Sequence, residues 1–169
     1  IHARVEELLT AYNDAISYIA EKTAVDPSNN VREILAGDTV FRNLRIQMRG
    51  IAAGSVGSVV PGNPSLLSQI GITVAADGKL TLSNTAAFDA MMAGGVQKVA
   101  DLFNSTSGIA TRMKSLMEGF VNSGGQMDAS KTGVDGQITS ITSRVKRLEE
   151  QGNKKVERYR DEFVRLQNT

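Results

Sequence analysis

A single histidine, His2, and the absence of any cysteine narrow the chemistry open to this chain. Nucleophilic catalysis by Ser or Cys needs a base within hydrogen-bond reach and a third group to orient that base. One histidine in the first helical turn brings no such company, and a solvated helix residue is the simpler reading. Ser-Lys or carboxylate-only chemistry would need no histidine, but nothing in the sequence marks it. Zero cysteine removes disulfide frameworks and thiolate metal sites; it leaves the redox compartment undetermined and is compatible with export.

Other motifs fall short of a site. Asp77 and Gly78 have the acid and glycine of a calcium loop, but Ala75 and Ala76 stand where oxygen ligands are required, and no Glu follows six residues after the glycine. Gly50, Gly54 and Gly57 lack the Gly-Lys-Ser/Thr ending of a phosphate-binding loop and read as flexibility. Asn104, Ser105 and Thr106 match a glycosylation sequon, read here as accidental. Met91, Met92, Met113, Met117 and Met127 have the adaptability of a binding surface but fit core packing better, Met92 and Met127 least well. The expectation is no catalytic residue, no metal site and no cofactor.

Charge sets further bounds. Nineteen basic and eighteen acidic residues leave a net charge of +1, with no basic block to neutralise a run of phosphates, so nucleic acid is not an expected partner. No apolar run approaches the roughly 20 residues that span a bilayer, and no charged-then-apolar leader opens the chain, so neither membrane insertion nor a cleaved Sec signal is expected. Hydrophobic residues make up 41% and aromatics 5%, which excludes global disorder and predicts a core of Leu, Ile, Val, Ala and Met. The chain begins in helical register and ends within a periodic helix, as a fragment of a longer protein would.

The elements follow from periodicity. Val5, Leu9, Tyr12, Ile16 and Ile19 recur at spacings of 4, 3, 4 and 3 and predict a helix over residues 1–22 with one buried face. Asp26, Pro27, Ser28, Asn29 and Asn30 form a polar turn, residues 31–36 fit a short helical turn closed by Gly37, and Asp38 is a good N-cap for a helix presenting Phe41, Leu44, Met48 and Ile51. That helix should fray after Gly50 into the Gly- and Ser-rich stretch 51–62, which is expected to pack back onto the bundle; ordering against a neighbouring subunit is the alternative. Ile72 and Val74 face Leu80 and Leu82 across the Asp77-Gly78 turn, a strong hairpin signal within residues 70–82. Short helices occupy residues 85–122, the first capped by Ser83 or Asn84.

A last helix over residues 130–169 carries Val134, Ile138, Ile141, Val145, Leu148, Val156, Tyr159, Phe163 and Leu166 on one seam, with a stutter at Gly152 that locally unwinds a supercoil. The seam runs roughly 48 Å at 1.5 Å per residue. Gly152, Gly133 and Gly136 weaken it, so its burial against the matching stripe of the first helix is expected to supply the stability. Together these elements predict a mainly α fold in one domain over residues 1–169: an elongated antiparallel helical bundle with coiled-coil-like long terminal helices and one small β-hairpin.

The order of these blocks carries more information than any one of them. The opening helix VEELLTAYNDAISYI, the helix GDTVFRNLRIQMRGI, the segments IGIT, DGKLTL and VADLF, then GIATRMKSLMEGFV and a long charged terminal helix together resemble the C-terminal half of the bacterial flagellar filament-capping proteins, the hook-associated protein 2 family. The resemblance covers nearly the whole chain. It implies a leg-type helical domain that assembles with its own copies into a ring-like cap at the distal, extracellular tip of the flagellum. Beneath that cap exported flagellin is inserted and folded without cofactor or nucleotide. A secreted adhesin binding host surface glycans, or another axial protein such as flagellin or a hook-filament junction protein, stays open as the alternative.

Overall fold

The opening stripe folds as predicted: helix α1, His2–Lys22, buries Val5, Leu9, Tyr12, Ile16 and Ile19. The structure is a computed structural model that describes residues 2–28 and 31–167. Contacts divide the chain into two compact units, Ile1–Asn122 and Ser123–Thr169.

Within the first unit, α1 ends where Thr23 donates its hydroxyl to the Ile19 carbonyl at 2.7 Å. The helical turn expected over residues 31–36 is shortened: Ala36 N–H donates to the Glu33 carbonyl at 2.8 Å, and Gly37 closes the turn at φ +87°. Its first two residues are strand, with β1, Val25–Asp26, pairing antiparallel with β2, Val31–Arg32. The polar cluster between them is the hairpin loop, with Ser28 N–H on the Asp26 carboxylate at 2.9 Å; Asn29 and Asn30 of that cluster lie outside the described residues. Asp38 caps α2, Thr39–Ala53, by accepting from the amides of Val40 at 2.7 Å and Phe41 at 3.3 Å. This helix continues past Gly50 because Ile51 and Ala52 are buried.

The Gly- and Ser-rich stretch does fold back. Val56 is buried, and its amide donates to the Ser65 carbonyl at 2.8 Å. A 3-10 turn, Leu67–Ile70, leads to strands β3, Ile72–Val74, and β4, Leu80–Leu82, which pair antiparallel with Ile72 opposite Leu82 and Val74 opposite Leu80. Helices α3, Thr85–Ala93, α4, Val96–Asn104, and α5, Ile109–Val121, complete the unit, and Asn84 caps α3 through the Ala87 amide at 2.9 Å. The core joins the α1 stripe to Leu44 and Met48 of α2, Ile72 and Leu80 of the hairpin, Phe88, Leu102 and Phe120. Met91, Met92, Met113 and Met117 pack against its edge, whereas Met127 is exposed.

The second unit is helix α6, Gln126–Gln167, 42 residues that begin a turn earlier than predicted. Asp128 stabilises that start by accepting from the Gly124 amide at 3.0 Å. None of its residues is buried. The predicted seam is present as a row on one face, but its members range from 48% exposed at Val145 to 75% at Leu166. Within the first unit the α1 stripe is covered by α2, the hairpin and the shorter helices. Periodicity identifies a face that favours burial; it does not identify the partner.

Candidate functional site: a clamped hairpin and an uncovered helical row

The Asp77-Gly78 turn is closed by backbone and side chain together. Gly78 takes φ +94°, a left-handed conformation suited to glycine. Asp77 accepts from the Lys79 amide at 3.0 Å, and Ala75 N–H donates to the Lys79 carbonyl at 2.8 Å. A two-stranded hairpin is marginal in water by itself, and α1 supplies what it lacks. Asn13 donates from Nδ2 to the Leu80 carbonyl at 2.8 Å and accepts at Oδ1 from the Leu80 amide at 2.7 Å. Its side-chain amide thus occupies the outer edge of β4 as the peptide of a third strand would. One residue earlier, the buried Tyr12 hydroxyl donates to the Gly78 carbonyl at 3.1 Å. Burial pushes the Tyr12 hydroxyl pKa above its ordinary 10.0, with the nearby Arg49 guanidinium opposing the shift.

At the other end of the hairpin, Gly71 has φ +80°, and a Cβ there would fall 2.2 Å from the Asn84 carbonyl oxygen. The carbonyl of Gly71 accepts from the Ser83 and Asn84 amides at 2.9 and 3.1 Å and from the Ser83 hydroxyl at 3.1 Å. The hairpin is therefore fixed at both ends. The pattern of apolar residues located the strands; the Asn13 clamp was missed, although a poor helix former beside Tyr12 within a periodic helix was the available signal.

Chemistry-bearing residues are not drawn together. His2 meets Phe88 edge to face with ring centroids 5.1 Å apart, and its Nδ1 lies 3.4 Å from a Glu6 carboxylate oxygen. Ser58, Ser105 and Ser107 share hydroxyl contacts of 2.7 Å that fasten the Gly- and Ser-rich loop to the α4–α5 turn. Among the described residues, no group of three or more His, Cys, Asp and Glu is placed to hold a metal, and no helix is long and apolar enough to cross a membrane.

The clamped hairpin of the first unit and the exposed apolar row of α6 set the frame for comparison with known proteins. The family model of the flagellar hook-associated protein 2 C-terminus matches residues 1–169. The chain belongs to that family. It is 24% identical over 164 residues to the lateral flagellar hook-associated protein 2 of Vibrio parahaemolyticus, covering 96% of this chain and 35% of that relative. With the A-type flagellar hook-associated protein 2 of Pseudomonas aeruginosa the identity is 26% over 160 residues, covering 90% and 31%. A crystal structure of the flagellar cap protein FliD domains D1-D2-D3 from Escherichia coli superposes with a TM-score of 0.64 at 25% identity, over 76% of this chain and 35% of that one. The chain thus spans about a third of the length of these relatives.

Proposed function

We propose that this chain is the helical leg region of a bacterial flagellar cap protein. In this reading the parent assembles with its own copies at the distal, extracellular end of the filament and promotes insertion and folding of exported flagellin. The role is structural and mechanical, with no catalytic step. The family match across residues 1–169 carries the proposal.

Two structural features support it. The clamped hairpin and the core under α1 supply a stiff body that can transmit force. The α6 row from Val134 to Leu166 is the second: exposed apolar rows of this extent mark association surfaces, and a helix of matching 4,3 spacing is the surface that would cover it. Gly133, Gly136 and Gly152 lie on α6 with open space where a Cβ would sit. They lower helix propensity and meet no neighbour within 4 Å, and in this reading they let the leg bend as successive flagellin subunits are added.

An antibody raised against this chain, located on intact cells by immunogold electron microscopy, tests the proposal. Label confined to filament tips is expected. Label along whole filaments would indicate a flagellin instead, and label away from flagella would refute the flagellar role.

A further inference from the structure

The first unit carries two oppositely charged helical faces. Between Val5 and Glu21, α1 contains Glu6, Glu7, Asp14 and Glu21 and no Lys or Arg. All four acids are exposed on the side away from its buried stripe. Helix α2 has the opposite character: Arg42, Arg45 and Arg49 and no acid. The three arginines follow one stripe at spacings of three and four. None of them has an ion pair among the described residues, and neither has Asp14. Glu7 is paired only with Arg4, at 2.9 Å with both side chains mostly exposed, a contact of small worth that a better partner can replace.

The faces also match in shape. Arg42 and Arg49 are seven residues apart, as are Glu7 and Asp14; two helical turns place each pair about 10 Å apart along its axis. Between the arginines Ile46 projects with 60% of its surface exposed. Between Glu7 and Asp14 the small side chains of Thr10 and Ala11, with Ala3 a turn before them, leave a shallow depression rimmed by Glu6, Glu7 and Asp14. An apolar knob between two cations and a small-residue hollow between two anions thus share the same spacing.

We propose that the α2 stripe of one copy of this chain docks on the outer face of α1 of a second copy, with Ile46 over Ala11 and Arg42 and Arg49 paired with Asp14 and Glu7. The contact uses two different surfaces, so one copy keeps its α1 face free and the other its α2 stripe, and repetition gives a ring or an open chain rather than a closed dimer. This inference rests on the self-assembly proposed above and assigns it a surface.

The natural absence of cysteine makes the test clean. Ala11→Cys and Ile46→Cys single variants of the chain, one bearing a mass tag, are mixed and mildly oxidised. Cross-links between the two variants should exceed the random share relative to homodimers and should fall as salt rises. Arg42→Glu should weaken association about tenfold, and mixing it with Asp14→Lys, the reversal of its partner, should restore the contact. Sedimentation velocity of the unsubstituted chain separates the two possible failures. Association with only random cross-linking overturns this interface and leaves self-assembly standing; a monomer at all concentrations, with no excess cross-link, overturns the interface and removes support for self-assembly by this chain.

Discussion

Replacing Asn13 by Leu tests whether a single side chain holds the hairpin to α1. The change keeps size and helical character and removes both contacts to Leu80, at 2.8 and 2.7 Å. A net loss of about 1 kcal/mol per hydrogen bond gives about 2 kcal/mol, and a backbone group left without a partner costs about 1–3 kcal/mol where water cannot reach it. Asn13 is half-buried, so water reaches the orphaned groups in part, and the lower end of that range applies. Leu is the better helix former by about half a kcal/mol, which offsets a little. The expected destabilisation is about 2–3 kcal/mol, measured by urea unfolding with far-UV circular dichroism. The Leu80 amide, bonded to Asn13 in the parent, should be protected from exchange there and exchange faster in the variant. A change below about 0.5 kcal/mol, with Leu80 still protected, would refute the view that Asn13 stands in for a third strand.

Gly71→Ala forces an L side chain into φ +80° with its Cβ 2.2 Å from the Asn84 carbonyl and should cost more than about 2 kcal/mol by the same unfolding assay. Tyr12→Phe removes the bond to the Gly78 carbonyl at about 1 kcal/mol near neutral pH. Because burial raises the folded-state pKa of Tyr12 above 10.0, its contribution is complete below pH 10 and is lost as pH rises from there through the folded pKa, the unfolded chain ionising first; the parent should lose that increment in alkaline unfolding curves and Tyr12→Phe should not. Gly152→Ala meets nothing within 4 Å and should stabilise α6 by up to about 1 kcal/mol, read as thermal helicity, while impairing swimming; normal swimming would sink the flexure reading.

Elements held by one amphipathic face were legible in the sequence. The α1 stripe names the five residues that the structure buries there, and the Asp-Gly turn gives the strand register because a two-fold alternation leaves little freedom once the turn is placed. Two kinds of feature were not legible. Residues 31–36 are too short for a period to arbitrate between a turn of helix and a strand, and Val25, far enough back to be overlooked, supplies the pairing. The Asn13 clamp is a contact across 67 residues between a polar side chain and backbone, and backbone groups leave no trace in a hydropathy pattern. The pattern of the α6 seam does not name its partner for a related reason: two stripes of equal spacing are compatible with each other and with many other surfaces.

The two units differ in how completely they satisfy their own groups, and that difference bears on function. Among the described residues of the first, twenty apolar residues are buried and no buried side-chain N or O atom lacks a partner. Glycines with positive φ at 71 and 78 lock the hairpin. Little there invites rearrangement. In α6 the helix is long, its apolar row is uncovered, and its interior glycines sit where Ala would fit without a clash. Isolated helices draw most of their stability in proteins from packing of an apolar face, so α6 gains order when that face is covered. The first unit is thus a self-satisfied body and the second a helix that covering its apolar face would stabilise, an arrangement that suits the assembly role proposed above.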